Sequence, residues 1–202
     1  MTFGPLPSIE PARPVRHRRH GPTPGRRDVM ALASLLLAYP DDDMCVALPG
    51  LRRAVAALPA STAATRLREF LAWFTITASA DRRIEYVRAF DHKRRSALYV
   101  TFATYGDTRR RGAVLAELRQ RYHEAGFVEN SDELPDYLPT LLQFAALVGD
   151  EADDVLGQMR PGIEAITRAL KAQHSPYAPV LQAVTEVVPA KTTVPDREGV
   201  AA

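Results

Sequence analysis

The feature that most constrains this chain is a helical apolar stripe, repeated four times between two ends that lack it. Leu67, Phe70, Leu71 and Phe74 stand at i, i+3, i+4 and i+7 in a segment that Ser61 can cap. Val114, Leu115, Leu118 and Tyr122 repeat the face between a capping Asp107 and a stopping Gly126. Leu138, Leu141, Leu142 and Ala145 do so again up to Gly149. Tyr177, Val180, Leu181 and Val184 form the fourth stripe, opened by Ser175-Pro176. Residues 151–172 carry the same period, with Pro161-Gly162 expected to kink or split the helix. Side chains in a strand alternate faces, so a 3.6-residue stripe of this kind commits its segment to helix.

One segment pulls the other way. Leu98-Tyr99-Val100-Thr101-Phe102-Ala103-Thr104-Tyr105 is rich in the β-branched and aromatic residues that favour strands. No partner strand stands out elsewhere, and Leu98, Thr101, Phe102 and Tyr105 share a helical face, so it reads as a buried helix. The expectation is an all-α, single-domain helical bundle over residues 28–187, with essentially no β-sheet. Residues 1–27, mixing proline, glycine, arginine and histidine, read as a disordered basic tail, and residues 188–202 as a flexible end.

Charge follows this division. The first thirty residues hold six arginines against Glu10 and Asp28, a balance of +4 within a chain of net +2. The rest therefore sums to −2, whereas a nucleic-acid-binding domain more often carries a basic face on the fold itself. Arg26-Arg27 followed by Val29–Tyr39 looks like a twin-arginine export signal. The apolar stretch is about eleven residues long, well below the ~20 of a membrane span. It runs into Pro40-Asp41-Asp42-Asp43 with no small-residue cleavage site. It also makes a good core helix, with Asp28 as cap and Met30, Ala33, Ser34 and Leu37 on one face. A cytoplasmic protein without stable membrane insertion is the expectation.

Catalytic motifs are missing: no phosphate loop, no G-x-S-x-G elbow, no H-E-x-x-H pair. Cys45 is the single cysteine, which excludes an intramolecular disulfide, and with no basic neighbour in sequence it reads as a small apolar residue. The histidines are scattered, and Asp41-Asp42-Asp43 lacks the alternation of a calcium loop. It reads as a helix cap. The expectation is neither an enzyme nor a metal protein, and no stably bound cofactor.

Two clusters exceed what a helical core requires. In Tyr105-Gly106-Asp107-Thr108-Arg109-Arg110-Arg111-Gly112, three arginines at a helix start oppose the helix dipole, a cost that another partner must offset. In Asp132-Glu133-Leu134-Pro135-Asp136-Tyr137-Leu138-Pro139, two prolines stiffen a turn that leaves acidic and aromatic groups projecting. Pro135 suits the first helical position; Pro139 then removes a donor one turn in.

At these clusters the sequence resembles the nitrate reductase delta-subunit, or NarJ-type, assembly chaperones. The resemblance rests on Tyr86-Val87-Arg88-Ala89-Phe90-Asp91, on Ala97–Thr101, on Tyr105–Gly112, on Glu133–Pro139 leading to Gln143-Phe144-Ala145-Ala146, and more weakly on Leu35–Pro40. It implies an all-α chaperone that binds the apo catalytic subunit of a respiratory nitrate reductase, chiefly its N-terminal peptide, and promotes insertion of the molybdenum cofactor into that client. Proteins of cofactor biosynthesis are further implied partners. The turn Glu133, Pro135, Asp136, Tyr137 matches a Glu-x-Pro-Asp-His-like motif tied to peptide recognition in related chaperones, with Tyr137 where histidine is common. Tyr99, Tyr105, Asp107, Arg109 and Arg111, in the other matching runs, complete the implied client-binding set. The competing reading is a nucleic-acid-associated helical regulator, using the basic tail and Arg109–Arg111, with steeply salt-dependent binding to random DNA.

Overall fold

Caps and stripes set the helices. In the computed structural model, which describes residues 9–11, 25–91, 96–129 and 133–190, the elements begin with a short strand β1 (Ile9–Pro11), α1 (Arg26–Leu36) and α2 (Asp42–Ala56). Then follow α3 (Thr62–Ile76), α4 (Ser79–Phe90), α5 (Val100–Tyr105), α6 (Arg109–Glu124) and a second short strand, β2 (Phe127–Glu129). The described chain ends with α7 (Leu138–Val148), a 3-10 turn (Gly149–Ala152), α8 (Asp153–Ala172) and α9 (Ala178–Val187). Asp41 caps α2 by accepting from Met44 N at 2.9 Å, and Ser61 caps α3 by accepting from Ala64 N at 3.1 Å. Leu67, Phe70, Leu71 and Phe74 are all buried, and so are Leu138, Leu141, Leu142 and Ala145.

The core lies where α3, α7, α8 and α9 turn these faces inward, with α1 laid across α7 and α9. Tyr177 is fully buried among Phe70, Trp73, Tyr86 and Phe90, at ring-centroid distances of 5.0–5.8 Å. Tilted and edge-on packing of this kind adds to the stabilisation from area burial alone. The fold is all-α, as the stripes indicate. The strand-prone segment is helical from Val100 onward.

Several expectations are corrected. Ile9–Pro11, inside the stretch read as a tail, pairs antiparallel with Phe127–Glu129, in the register Ile9↔Glu129. Residues 1–8, 12–24 and 191–202 lie outside the described residues. The first helix starts at Arg26 rather than 28, and its cap position is Gly25 at φ 96°, not Asp28. A side chain at Gly25 would strain that backbone and press a Cβ to 3.2 Å from Pro59. Asp28 stays exposed in the first turn, where its charge favours the helix dipole. Likewise Thr108, not Asp107, occupies the cap position of α6, and α9 begins two residues after Pro176. Cys45 does meet a base: Arg82 Nη1 donates to its Sγ at 3.5 Å, a contact brought about by α4 packing beside α2.

Pro161 does not split α8, which runs unbroken for 20 residues. Val155, Leu156 and Met159 before it, and Ile163, Ile166 and Leu170 after it, keep one buried phase, so packing outweighs the lost hydrogen bond. Gly162 has a separate reason: a Cβ there would sit 2.2 Å from the Val100 carbonyl oxygen, so its absence lets α5 lie directly on α8.

The paired arginines have structural employment. Arg26 Nε donates to the Val187 carbonyl at the end of α9 (2.9 Å), and its guanidinium also pairs with Asp150 and Asp153. Arg27 donates to the carbonyls of Ala146 (2.7 Å) and Leu147 (2.6 Å), in the last turn of α7. Both guanidinium groups thus satisfy carbonyls that helix ends leave open, at the negative pole of the dipole. Among the described residues, no helix is long and apolar enough to cross a membrane.

Candidate functional site

The two unusual clusters meet. Leu138 N donates to the Leu98 carbonyl (2.8 Å) and Val100 N to the Asp136 carbonyl (3.1 Å), so the residues entering α5 pair with the turn entering α7. Tyr99 and Tyr137 form the resulting isolated bridge. From α6, the buried Tyr122 hydroxyl donates to the Pro135 carbonyl at 2.8 Å. The turn at 133–137 is therefore held by backbone and side chains of two other segments.

Asp136 is the pivot of this arrangement, and it does not project. It is 0% exposed. Its Oδ2 accepts from Thr101 N at 2.9 Å and from Thr101 Oγ1 at 2.5 Å. The carboxylate expected to project thus binds an open amide in the first turn of α5. Arg111 donates from Nε to Thr101 Oγ1 at 3.1 Å and brings Nη2 within 3.8 Å of Asp136 Oδ2. This answers the question of three arginines at a helix start. Arg111 serves the Thr101–Asp136 pair, Arg110 lies 5.3 Å over the Tyr105 ring, and Arg109 is exposed. Pro139 also finds its place, because α7 starts at Leu138 and the proline sits in the first turn, where no N–H partner is needed.

In front of this support lies an open groove of about 630 Å³. Leu35 of α1, Ala38 just after it, and Met44 and Leu51 of α2 give it apolar lining. Its aromatic lining is Tyr86 and Phe90 from α4, Tyr99 from the approach to α5, and Tyr137 from the turn, with Tyr39 just after α1. Every charged group among the described lining residues is a carboxylate: Asp41, Asp43, Asp91 and Glu133. Such a groove suits an apolar ligand that carries positive charge.

The tyrosines form one connected wall. Tyr39 meets Tyr86 edge-on at 5.3 Å, and Tyr99 meets Tyr137 at 5.7 Å. Tyr86 donates its hydroxyl to the Leu37 carbonyl at 3.2 Å and lies 3.3 Å from the Tyr137 hydroxyl. Tyr99 donates to Glu133 Oε1 at 2.8 Å. Burial, and then the Glu133 carboxylate, push the Tyr99 phenol well above its ordinary 10.0. Burial also raises Tyr137; the bond to Tyr86 works against this, and the charges of Glu133 and Asp91 add to it. The tyrosine wall stays neutral.

Of the nine residues expected to meet a client, Glu133, Tyr137 and Tyr99 line the groove. Pro135, Asp136 and Arg111 stand behind it and hold the turn. Tyr105, Asp107 and Arg109 do not line it; Asp107 and Arg109 are exposed, and Tyr105 is half-buried beneath Arg110. Sequence reasoning missed Tyr39, Tyr86, Asp91, Asp43 and Met44 as groove residues. The signal for the first three was present, because Tyr39 closes the Leu35–Pro40 string and Tyr86 and Asp91 bound the Tyr86–Asp91 string.

The sequence profile of the family described as nitrate reductase delta subunit matches residues 55–183. The chain belongs to that family. It is 34% identical over 164 residues to the probable nitrate reductase molybdenum cofactor assembly chaperone NarJ of Bacillus subtilis, covering 79% of this chain and 87% of the relative. It is 31% identical to the nitrate reductase molybdenum cofactor assembly chaperone NarJ of Escherichia coli K12, covering 74% of this chain and 64% of the relative. The fold is also that of a candidate redox enzyme maturation protein from Archaeoglobus fulgidus, whose crystal structure superposes with a TM-score of 0.59 at 17% identity, covering 86% of this chain and 98% of the other. Both NarJ relatives carry the name of assembly chaperones. The nucleic-acid reading gains no support from these likenesses.

Proposed function

We propose that this chain binds the apo catalytic subunit of a respiratory nitrate reductase in the cytoplasm, taking its N-terminal peptide into the groove and holding the client open for insertion of the molybdenum cofactor. The observation that carries this reading is the groove itself: apolar side chains, aromatic side chains and, as the charged groups among the described lining residues, carboxylates. An amphipathic peptide with basic residues complements all three, in the manner of helix-in-groove recognition. Glu133 stands at the rim on a turn fastened from behind, so it meets a cation with little ordering cost. A charge-assisted hydrogen bond at such a position contributes about 1.5–3 kcal/mol, roughly a tenfold to hundredfold effect on affinity. The cofactor passes into the client, and the chaperone supplies no ligand of its own.

Calorimetric titration of a synthetic client N-terminal peptide tests the reading. Ala47 is exposed at the groove and tolerates a large side chain without disturbing the core. Ala47→Trp should abolish binding while leaving the melting temperature unchanged, and Glu133→Gln should weaken binding at least tenfold. Wild-type affinity in both variants, with folding intact, would place recognition elsewhere on the molecule.

A further inference from the structure

Among the described residues, nothing gives Asp91 a structural reason to be an acid. It is the C-terminal cap residue of α4, where a negative charge faces the negative pole of the helix dipole. Its carboxylate is exposed, and among the described residues it has neither a hydrogen-bond nor an ion-pair partner. The other groove aspartates differ. Asp41 caps α2 and Asp43 stands in its first turn, both favourable positions for a carboxylate. Asp91 lines the same groove as Tyr99, Glu133 and Tyr137. Tyr86 and Tyr99 already donate their hydroxyls within the protein, and the Tyr137 hydroxyl meets that of Tyr86. What this corner offers a ligand is tyrosine ring surface and carboxylate oxygen, and both of these attract a cation.

Resting on the groove reading above, we infer that Asp91, Glu133, Tyr99 and Tyr137 form a subsite for a single guanidinium group of the bound peptide, and that Asp91 is retained for this contact at a cost to helix stability. A guanidinium suits the corner better than an ammonium, because it lies flat on a ring while presenting several donors in its plane to carboxylates. The subsite therefore reads one arginine of the client rather than its overall positive charge.

The test is a coupling experiment on the full chain. The client N-terminal peptide is synthesised with each arginine in turn replaced by citrulline, its neutral isostere, or by lysine, and each peptide is titrated against wild type and Asp91→Asn. One arginine position should stand out, losing roughly tenfold in affinity as citrulline and several-fold as lysine. That loss should largely vanish in Asp91→Asn, whose thermal stability should equal or exceed wild type. Similar losses at every arginine, or an unchanged citrulline effect in Asp91→Asn, overturn the subsite while leaving the groove intact. A peptide that fails to bind folded wild type overturns the groove reading itself. Destabilisation by Asp91→Asn overturns the claim that the acid is kept for binding.

Discussion

At the scale of single residues, Asp136 shows where a one-dimensional reading stops. A carboxylate just before a helix, between two prolines, reads as exposed and ready for a client. Its actual partner is the Thr101 amide, 35 positions away in sequence, and no periodicity reports such a contact. Asp136→Ala leaves the Thr101 amide and hydroxyl without their acceptor and Arg111 without its ion-pair partner, and should cost about 3 kcal/mol, at the upper end for a buried group left unpaired. Asp136→Asn keeps one acceptor oxygen and should cost about 1 kcal/mol. Urea denaturation of both variants checks the ranking, and equal stability to wild type in the alanine variant would contradict it. Glu133, Tyr137 and Tyr99 are legible because they stand in distinctive strings. Asp91 stands in such a string too, yet its place at the groove depends on how α4 packs in three dimensions. The tyrosines give a prediction of their own. Burial holds the phenols of Tyr86, Tyr99, Tyr137 and Tyr177 above their ordinary 10.0. Below pH 10 both folded and unfolded forms keep these protons, so stability is unaffected. Above it the unfolded chain releases protons that the folded chain retains, so stability should fall steadily as pH rises. Denaturation midpoints measured between about pH 8 and 11, paired with ultraviolet titration of native tyrosinate, report the effect.

At the scale of elements, the four stripes are legible because an amphipathic helix writes its buried face into the sequence every three or four residues. Boundaries are less so, since Gly25, Thr108 and Tyr137 hold cap positions without any side-chain capping bond to announce them. The Leu98–Tyr105 segment is ambiguous for a physical reason: its first residues do pair as a strand would, with Leu98 and Val100 bonded to the α7 turn, before the helix begins. The unbroken α8 escapes a sequence reading because the penalty of Pro161 is local while the packing that offsets it comes from α5 and α9. Gly162 tests that packing. Alanine is ordinarily the better helix former by about 1 kcal/mol. Gly162→Ala should nevertheless destabilise by about 2 kcal/mol, because its Cβ collides with the backbone of α5. Since α5 carries Thr101, peptide affinity should fall as well. Gly50, within α2, is the control, because a Cβ added there would meet nothing within 4 Å. Gly50→Ala should stabilise by about 0.5–1 kcal/mol. Differential scanning calorimetry of the two variants should move in opposite directions.

At the scale of the whole molecule, Arg26 and Arg27 tie the beginning of the fold to its end. Arg26 reaches the last turn of α9 and Arg27 the last turn of α7. Replacing both by alanine should lower stability by on the order of 2–3 kcal/mol, allowing for partial replacement by water at these half-buried sites. Chemical denaturation measures this, and an undisturbed midpoint would return the pair to a role outside the fold. The same contacts bear on when the protein becomes usable. α1 supplies Leu35 and Ala38 to the groove, and α1 is seated chiefly against α7 and α9. During synthesis the groove's first wall therefore exists as chain long before it has anything to lean on, and it waits for the last helix to emerge. On the reading proposed above, a chain in which α9 is not yet made and packed against α1 has no seated groove to offer a peptide.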